Sequence, residues 1–337
     1  MKKITLLSGI LTVQIILTLV LLLSNNKLDS HAGIQKLLEF DREQINVIQI
    51  TDRDGKTTRL KLNNNNWFTE EQFPADSTRI DQLLNKLSEL EHGLPVANSA
   101  KSANRFEVDN EHFQRRLQLL QSEQAVVDMY LGTGAGARHS HIRLANDTSI
   151  FSTTIGSYDL PTTIAEWQDK NLLLIETDTI NSVELNDLKI LKQPLESSDK
   201  SKSSKTTAST LETKWLAAEG LANDETLKTD AFKTLLKNIS SLRYLRAFKG
   251  SVDDRSLLAE ISLNYGENSR TYTFYGSAED NELWLTVSDY QYIFVLSEHT
   301  GKQIIEVLSR EKILDKSEID PTNNSSETIE ETLSESE

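Results

Sequence analysis

One pattern occurs twice in this chain, and it limits the fold more than any other feature. Val126 to Ile155, VVDMYLGTGAGARHSHIRLANDTSIFSTTI, reads as strand, glycine turn, strand, short turn, strand. Tyr130-Leu131 runs into Gly132, Ile142 and Leu144 alternate with His141 and Arg143, and Ile150-Phe151 follows Asn146-Asp147. The same grammar returns at Thr271 to Leu296. There Phe274-Tyr275 runs into Gly276, Leu285 and Val287 alternate with Trp284 and Thr286, and Ile293-Phe294 follows Asp289-Tyr290. Alternation of apolar and polar residues marks a strand with one buried face. A meander repeated with its key positions in order points to an internal duplication. At 337 residues the chain has room for two such units, each with its own core.

The segments ahead of each meander correspond as well. In the first unit Val47 to Thr51 is a β-branched run closed by Asp52-Arg53-Asp54-Gly55, and Thr58 to Leu62 alternates after it. Asp-Gly between two such runs is a hairpin signal. Trp67-Phe68 follows a second turn. Asp76-Ser77-Thr78 then offers capping side chains ahead of the stripe Ile80, Leu83, Leu84, Leu87 and Leu90, which His92-Gly93 ends. Asn98 to Asn104 reads as loop, Glu111 to Leu120 as a short helix, and Thr163 to Gln168 as a brief helix with Trp167 turned inward. In the second unit Ser182 to Leu185 and Leu188 to Leu191 replace the first hairpin. Trp215 answers Trp67, and Leu235, Leu236, Ile239 and Leu242 answer Leu83, Leu84, Leu87 and Leu90. Runs of strands set apart from a lone amphipathic helix predict an α+β class. Each unit is then a mostly antiparallel sheet with one helix against it.

Ahead of both units stands an N-terminal transmembrane helix. Ile4 to Leu23 holds twenty residues without a charge, and an α-helix of that length rises ~30 Å, the thickness of a bilayer's apolar core. Lys2 and Lys3 precede it and Ser24-Asn25-Asn26 follows, which puts the N-terminus in the cytoplasm. A cleaved signal peptide is the alternative, but the apolar run is long for one and no small-x-small site follows it. The expected division is residues 1–3 cytoplasmic, 4–23 anchor, 24–40 juxtamembrane, 41–176 first unit and 177–314 second unit. A Ser, Lys and Thr-rich loop occupies 196–210. The tail 315–337 carries eight acids and one Lys, and reads as disordered.

The order Trp67, Asp76 before a leucine helix, then Tyr130-Leu131-Gly132, His141-Ile142-Arg143 and Ser149-Ile150-Phe151, resembles the bacterial domain of unknown function 4340 (DUF4340). The resemblance covers about Val47 to Ile175, and more weakly Val183 to Leu314. It departs at His141, where the family shows tyrosine, and near Phe106, where a Tyr-Gly-Leu segment is not evident. The resemblance implies a membrane-anchored protein, often encoded beside an ABC-transporter permease and a gliding-type auxiliary subunit. It implies no catalytic residue.

The residues themselves offer little chemistry. Cysteine is absent, which excludes disulfides, thiolate metal sites and cysteine nucleophiles. A net charge of -15 argues against nucleic acid, whose phosphates demand clustered Lys and Arg. His139 and His141 would lie ~6–7 Å apart along one side of a strand, but two imidazoles are half of a zinc site. The second unit has Glu282 and Trp284 in their places. Gly132 to Gly136 resembles a phosphate loop only as a string, since a strand follows it instead of a helix. No serine sits in a G-x-S-x-G elbow, and Asp52 with Asp54, or Asp253 with Asp254, fall in turns where acids serve the backbone.

The expectation is therefore a protein without enzymatic activity, metal or cofactor. It is a periplasmic accessory or scaffold subunit, held in the bacterial inner membrane by one helix, that binds an ABC-type permease or auxiliary subunit and touches lipid through its anchor. Its partner surface is the non-core sheet face bearing His139, His141 and Arg143, with Glu282, Trp284 and Thr286 in the second unit and Tyr290 nearby. The second reading is a binding module for a glycan or peptide in the cleft between the units.

Overall fold

Alternating strands closed by tight turns build an antiparallel sheet in the first unit, with β1 (Val47–Asp52), β2 (Thr57–Asn63) and β3 (Asn66–Thr69) on one side. The meander β4 (Arg115–Gln121), β5 (Gln124–Gly134), β6 (Ser140–Leu144) and β7 (Ile150–Thr153) makes the other side, in the order β3-β2-β1-β4-β5-β6-β7. The computed structural model describes residues 33–194, 213–277 and 282–316, with positions 11, 13–16 and 18. The first hairpin closes as an Asx turn, since the Asp52 carboxylate accepts from the amides of Asp54 at 3.0 Å and Lys56 at 2.9 Å. Gly55 sits there at φ +80°, which glycine adopts without steric cost.

Helix α1 (Ser77–Ser88) starts where Asp76 accepts from the Arg79 amide at 3.0 Å. Its apolar stripe, Ile80, Leu83, Leu84 and Leu87, packs with Ile48, Ile50, Leu60, Leu117, Leu119, Met129, Leu131, Ile142 and Phe151 in one core. Burying one such leucine stabilises by ~1.5–3 kcal/mol, so this face organises the unit. Trp167 is fully buried in the same cluster. Its indole donates to the Pro161 carbonyl at 2.9 Å, and its own carbonyl accepts from the Asp76 amide at 2.8 Å.

The second unit repeats that strand order. Its strands are β8 (Ile180–Leu185), β9 (Leu188–Pro194), β10 (Thr213–Glu219), β11 (Arg246–Phe248), β12 (Ser256–Tyr265), β13 (Asn268–Gly276), β14 (Leu283–Val287) and β15 (Ile293–Leu296). They pair as β10-β9-β8-β12-β13-β14-β15-β11, the short β11 being an added edge. Helix α3 (Thr229–Ser240) buries Phe232, Leu235, Leu236 and Ile239, with Phe232 edge-on to Trp215 at 5.2 Å. Helix α4 (Glu298–Val307) follows β15. The registers correspond too: Leu131 opposes Ile142, which opposes Phe151, and Phe274 opposes Leu285, which opposes Phe294. Leu131 thus answers Phe274, one residue away from the pairing of Tyr130-Leu131 with Phe274-Tyr275 that the glycines indicate.

The class is α+β, two large antiparallel sheets with few helices and two further two-stranded pairings, Gln35–Lys36 with Glu91–His92 and Glu225–Leu227 with Leu314–Lys316. Several segments differ from the sequence reading. Arg115–Gln121 is a strand and not part of a helix, because Leu117 and Leu119 both face the core. Asn98 to Asn104 contains a helix, α2 (Ala100–Arg105), capped by Ser99. Thr163 to Gln168 keeps only a single 3-10 turn, Ile164–Glu166. Leu37 and Leu38, placed in the juxtamembrane segment, belong to the first core.

The chain divides between Trp167 and Gln168. Gln168 is buried in the second unit, where its amide group accepts from the Ala247 N–H at 2.9 Å and donates to the Ala247 carbonyl at 2.6 Å. Among the described residues no helix is long and apolar enough to cross a membrane. The expected anchor at 4–23 lies outside the described residues except for positions 11, 13–16 and 18, and so do the loop 196–210 and the tail from 317. Asp315 and Lys316, expected in a disordered tail, instead pair as a strand with Thr226 and Glu225.

Candidate functional site

The face of the first sheet opposite α1 is covered. Helix α2 and the turn that follows it lie across β5, β6 and β7, where Ala103, Val108, Tyr130 and Ile150 form a second small core with Phe106 and Phe113 against it. His141 and Arg143, expected on a partner-facing surface, are buried there at 9% and 8% exposure. The His141 Nδ1 lies 3.0 Å from the Thr133 carbonyl and 3.1 Å from its hydroxyl. The Arg143 guanidinium donates to the carbonyls of Val108 at 2.7 Å, Leu144 at 3.1 Å and Asp147 at 2.9 Å, and to the Asn110 side chain at 2.8 Å. It also lies 4.9 Å from the Tyr130 ring centre. Arg143 bonds the covering layer to the sheet through Val108 and Asn110, whereas His141 bonds within the sheet, to Thr133 of β5, and meets the layer by packing against Phe106.

His139 is exposed, but it sits in the turn before β6, with its Nδ1 2.9 Å from the Ala137 carbonyl. A register shift between Leu131 and Gly134 takes this end of the hairpin out of regular pairing. The two imidazoles therefore occupy different environments and do not form a pair. Among the described residues no three His, Asp or Glu side chains group as a metal site.

The second unit places its three residues in a half-buried cluster. Glu282 accepts from Arg246 through both carboxylate oxygens, at 2.9 and 2.7 Å, and from the Trp284 indole at 3.3 Å. Arg255 covers the Trp284 ring at 3.5 Å and donates to the Glu282 carbonyl at 3.1 Å, while Phe248 meets Trp284 edge-on. Thr286 lies between Thr273 and Ile293 in register and is also half-buried. The Tyr290 hydroxyl is committed to the Leu172 carbonyl at 3.4 Å.

Two features escaped sequence reading. The first is a cavity of about 400 Å³ in the covering layer of the first unit, between α2, the turn 109–112 and Thr148 after β6, with Arg143 in its wall. Burial opposes the charge on Asp109 at its rim, but hydrogen bonds from the His112 and Glu111 amides and from Asn104 outweigh it and hold the carboxyl below the usual range. The second is the start of β12. Its neighbour β8 pairs with it only from Ile261 to Tyr265, so Ser256 to Glu260 is paired on the β13 side alone among the described residues. A bulge between Leu257 and Ala259 leaves Leu257 and Leu258 exposed at 62% and 47%. Beside them a hollow of about 410 Å³ is lined by Leu258, Leu283 and Ile305 together with the charged Glu282, Glu298, Lys302 and Glu306. The adjacent leucines were the available signal, because two neighbours on a strand cannot both face one core.

A family model described as Domain of unknown function (DUF4340) matches residues 67–259, more than half of the chain. The chain belongs to the DUF4340 family. The matched span begins at Trp67 on β3 and ends in β12, so it crosses the division at Trp167 instead of matching each unit once. No curated protein and no solved structure matches the chain.

Proposed function

We propose that this chain is a non-enzymatic accessory or scaffold subunit, anchored in the inner membrane and acting by protein-protein contact with an ABC-type permease or its auxiliary subunits. The observation that carries the reading is the start of β12, paired on one side alone among the described residues, with Leu257 and Leu258 exposed beside a hollow lined by Leu258, Leu283 and Ile305. An unprotected strand edge bearing exposed leucines is a surface for strand addition by another chain. This replaces His141 and Arg143 as the partner surface, while Glu282, Trp284 and Thr286 remain nearby on the same sheet. The uncharged run from Ile4 to Leu23 supports the anchor, and Leu11, Val13, Ile15 and Ile16 are helical and more than half exposed. The strand order shared by the two sheets supports descent from one duplicated module.

The test is photo-crosslinking from positions 257 and 258 in native membranes, with position 139 as comparison. A membrane-protein adduct from 257 or 258, lost in Leu257→Asp, is the expected result. No adduct, together with a detergent pull-down that recovers no membrane partner, would sink the reading. A second reading, a small-ligand binding module, is favoured by the cavity whose wall holds Arg143.

A further inference from the structure

The cavity in the covering layer of the first unit has a composition that specifies a ligand. Arg143 forms part of its wall at 8% exposure, and among the described residues every acceptor within hydrogen-bond distance of it is neutral. Four of its five N–H groups are used, which leaves one on the guanidinium. Asn110 gives its side-chain oxygen to Arg143 and keeps its NH2 group. Asn104 uses its NH2 group on Asp109 and His112 and keeps its oxygen. The Thr148 hydroxyl and the Glu111 carboxylate, both on the wall, have no side-chain partner among the described residues.

Donors and acceptors therefore alternate around the cavity: the Arg143 N–H, the Asn110 amide and the Thr148 hydroxyl against the Asn104 oxygen and the Glu111 carboxylate. An anion would meet one cation and two carboxylates, Asp109 and Glu111. An apolar guest would leave the remaining N–H of the buried Arg143 guanidinium unpaired, whereas Asn104, Asn110, Glu111 and Thr148 are exposed at the rim and reach a bound group from there. A polyol suits both kinds of group, because each hydroxyl donates and accepts. We propose that this cavity binds a neutral sugar residue, either free or as the end of a glycan. A volume of about 400 Å³ admits one or two sugar rings and lies within the usual range for small-ligand sites. The proposal does not depend on the scaffold reading.

The test is a titration of the full chain in detergent with glucose, galactose, mannose and N-acetylglucosamine, alongside acetate and inorganic phosphate, followed by ligand-observed NMR. Two variants keep every Arg143 bond: Asn110→Asp retains the accepting oxygen and removes the NH2 group, and Thr148→Val removes the hydroxyl at constant shape. Saturable binding of at least one sugar is expected, weakened roughly tenfold in each variant, with neither thermal midpoint lowered and neither anion bound. Binding of acetate or phosphate without sugar, sugar binding indifferent to both variants, or no binding at all would each overturn it.

Discussion

The Phe106 ring lies stacked on the His141 imidazole, with 4.0 Å between centroids and 17° between planes. That contact turns the outer face of the first sheet into a packed layer, and Arg143 is its main polar tie. Arg143→Ala would leave the carbonyls of buried Val108 and half-buried Asp147 without this donor. A loss of about 3 kcal/mol or more is expected, read as a lower urea midpoint. His139→Ala, on the exposed turn, should stay within about 0.5 kcal/mol of wild type. Equal and small effects would mean that the layer is held in some other way.

In the second unit, Arg310 donates to both carboxylate oxygens of Glu225 and also to Asp187 at 2.9 Å. The hydrogen bonds from Arg310, and then from the Ala222 amide, hold the Glu225 carboxyl down at about 2 from its ordinary 4.5. A depressed acid contributes its stability in full above the unfolded value and loses it as the pH falls toward the folded one. Glu225→Gln should therefore be less stable than wild type above pH 4.5, and the two urea midpoints should converge as the pH nears 2. A constant gap across that window would rule out this linkage.

How much of this was legible beforehand follows from which side of each strand meets the main core. Ile48, Ile50, Leu60, Ile142 and the α1 leucines announced themselves by period, and Asp76 by its place before the stripe. Alternation alone says that the other face is polar, and it cannot say that a second layer covers it. Alternation places Arg143 on that polar face for this reason, although Phe106, Val108 and Phe113 are the apolar residues that cover it. Arg115 to Gln121 misled differently: Leu117, Leu119 and Leu120 fit both a helix and a strand, and only pairing with β1 and β5 decides. The cavity could not be read at all, since Asn104, Asn110 and Thr148 are brought together by the covering layer and share no spacing.

The β4–β5 hairpin turns through Ser122 and Glu123, at φ +47° and +68°. Both central residues of such a turn favour Asn and Gly. The double change Ser122→Asn, Glu123→Gly should raise stability by up to about 1 kcal/mol, partly offset by loss of the exposed Arg59–Glu123 ion pair. The thermal midpoint should rise by ~2–4 °C for a unit of this size. A lower midpoint would mean that the ion pair outweighs the backbone strain.

Gly132 offers the sharpest test of the covering layer. A Cβ at this position would lie 2.0 Å from the Phe106 carbonyl oxygen and 2.5 Å from that of Glu107, both backbone atoms. The Phe106 carbonyl also accepts from the Thr133 amide at 2.9 Å, so the layer cannot withdraw without breaking that bond. Gly132→Ala should therefore lift the segment 106–113 from the sheet, exposing His141 and Arg143 while α1 and the inner core stay packed. Hydrogen exchange reads this directly: the Val108 and Thr133 amides should lose protection by orders of magnitude, and Leu117 and Leu119 should keep theirs. Gly93→Ala, where a Cβ meets nothing within 4 Å, should change neither set. Uniform loss of protection in Gly132→Ala would show instead that the two faces of the sheet unfold as one.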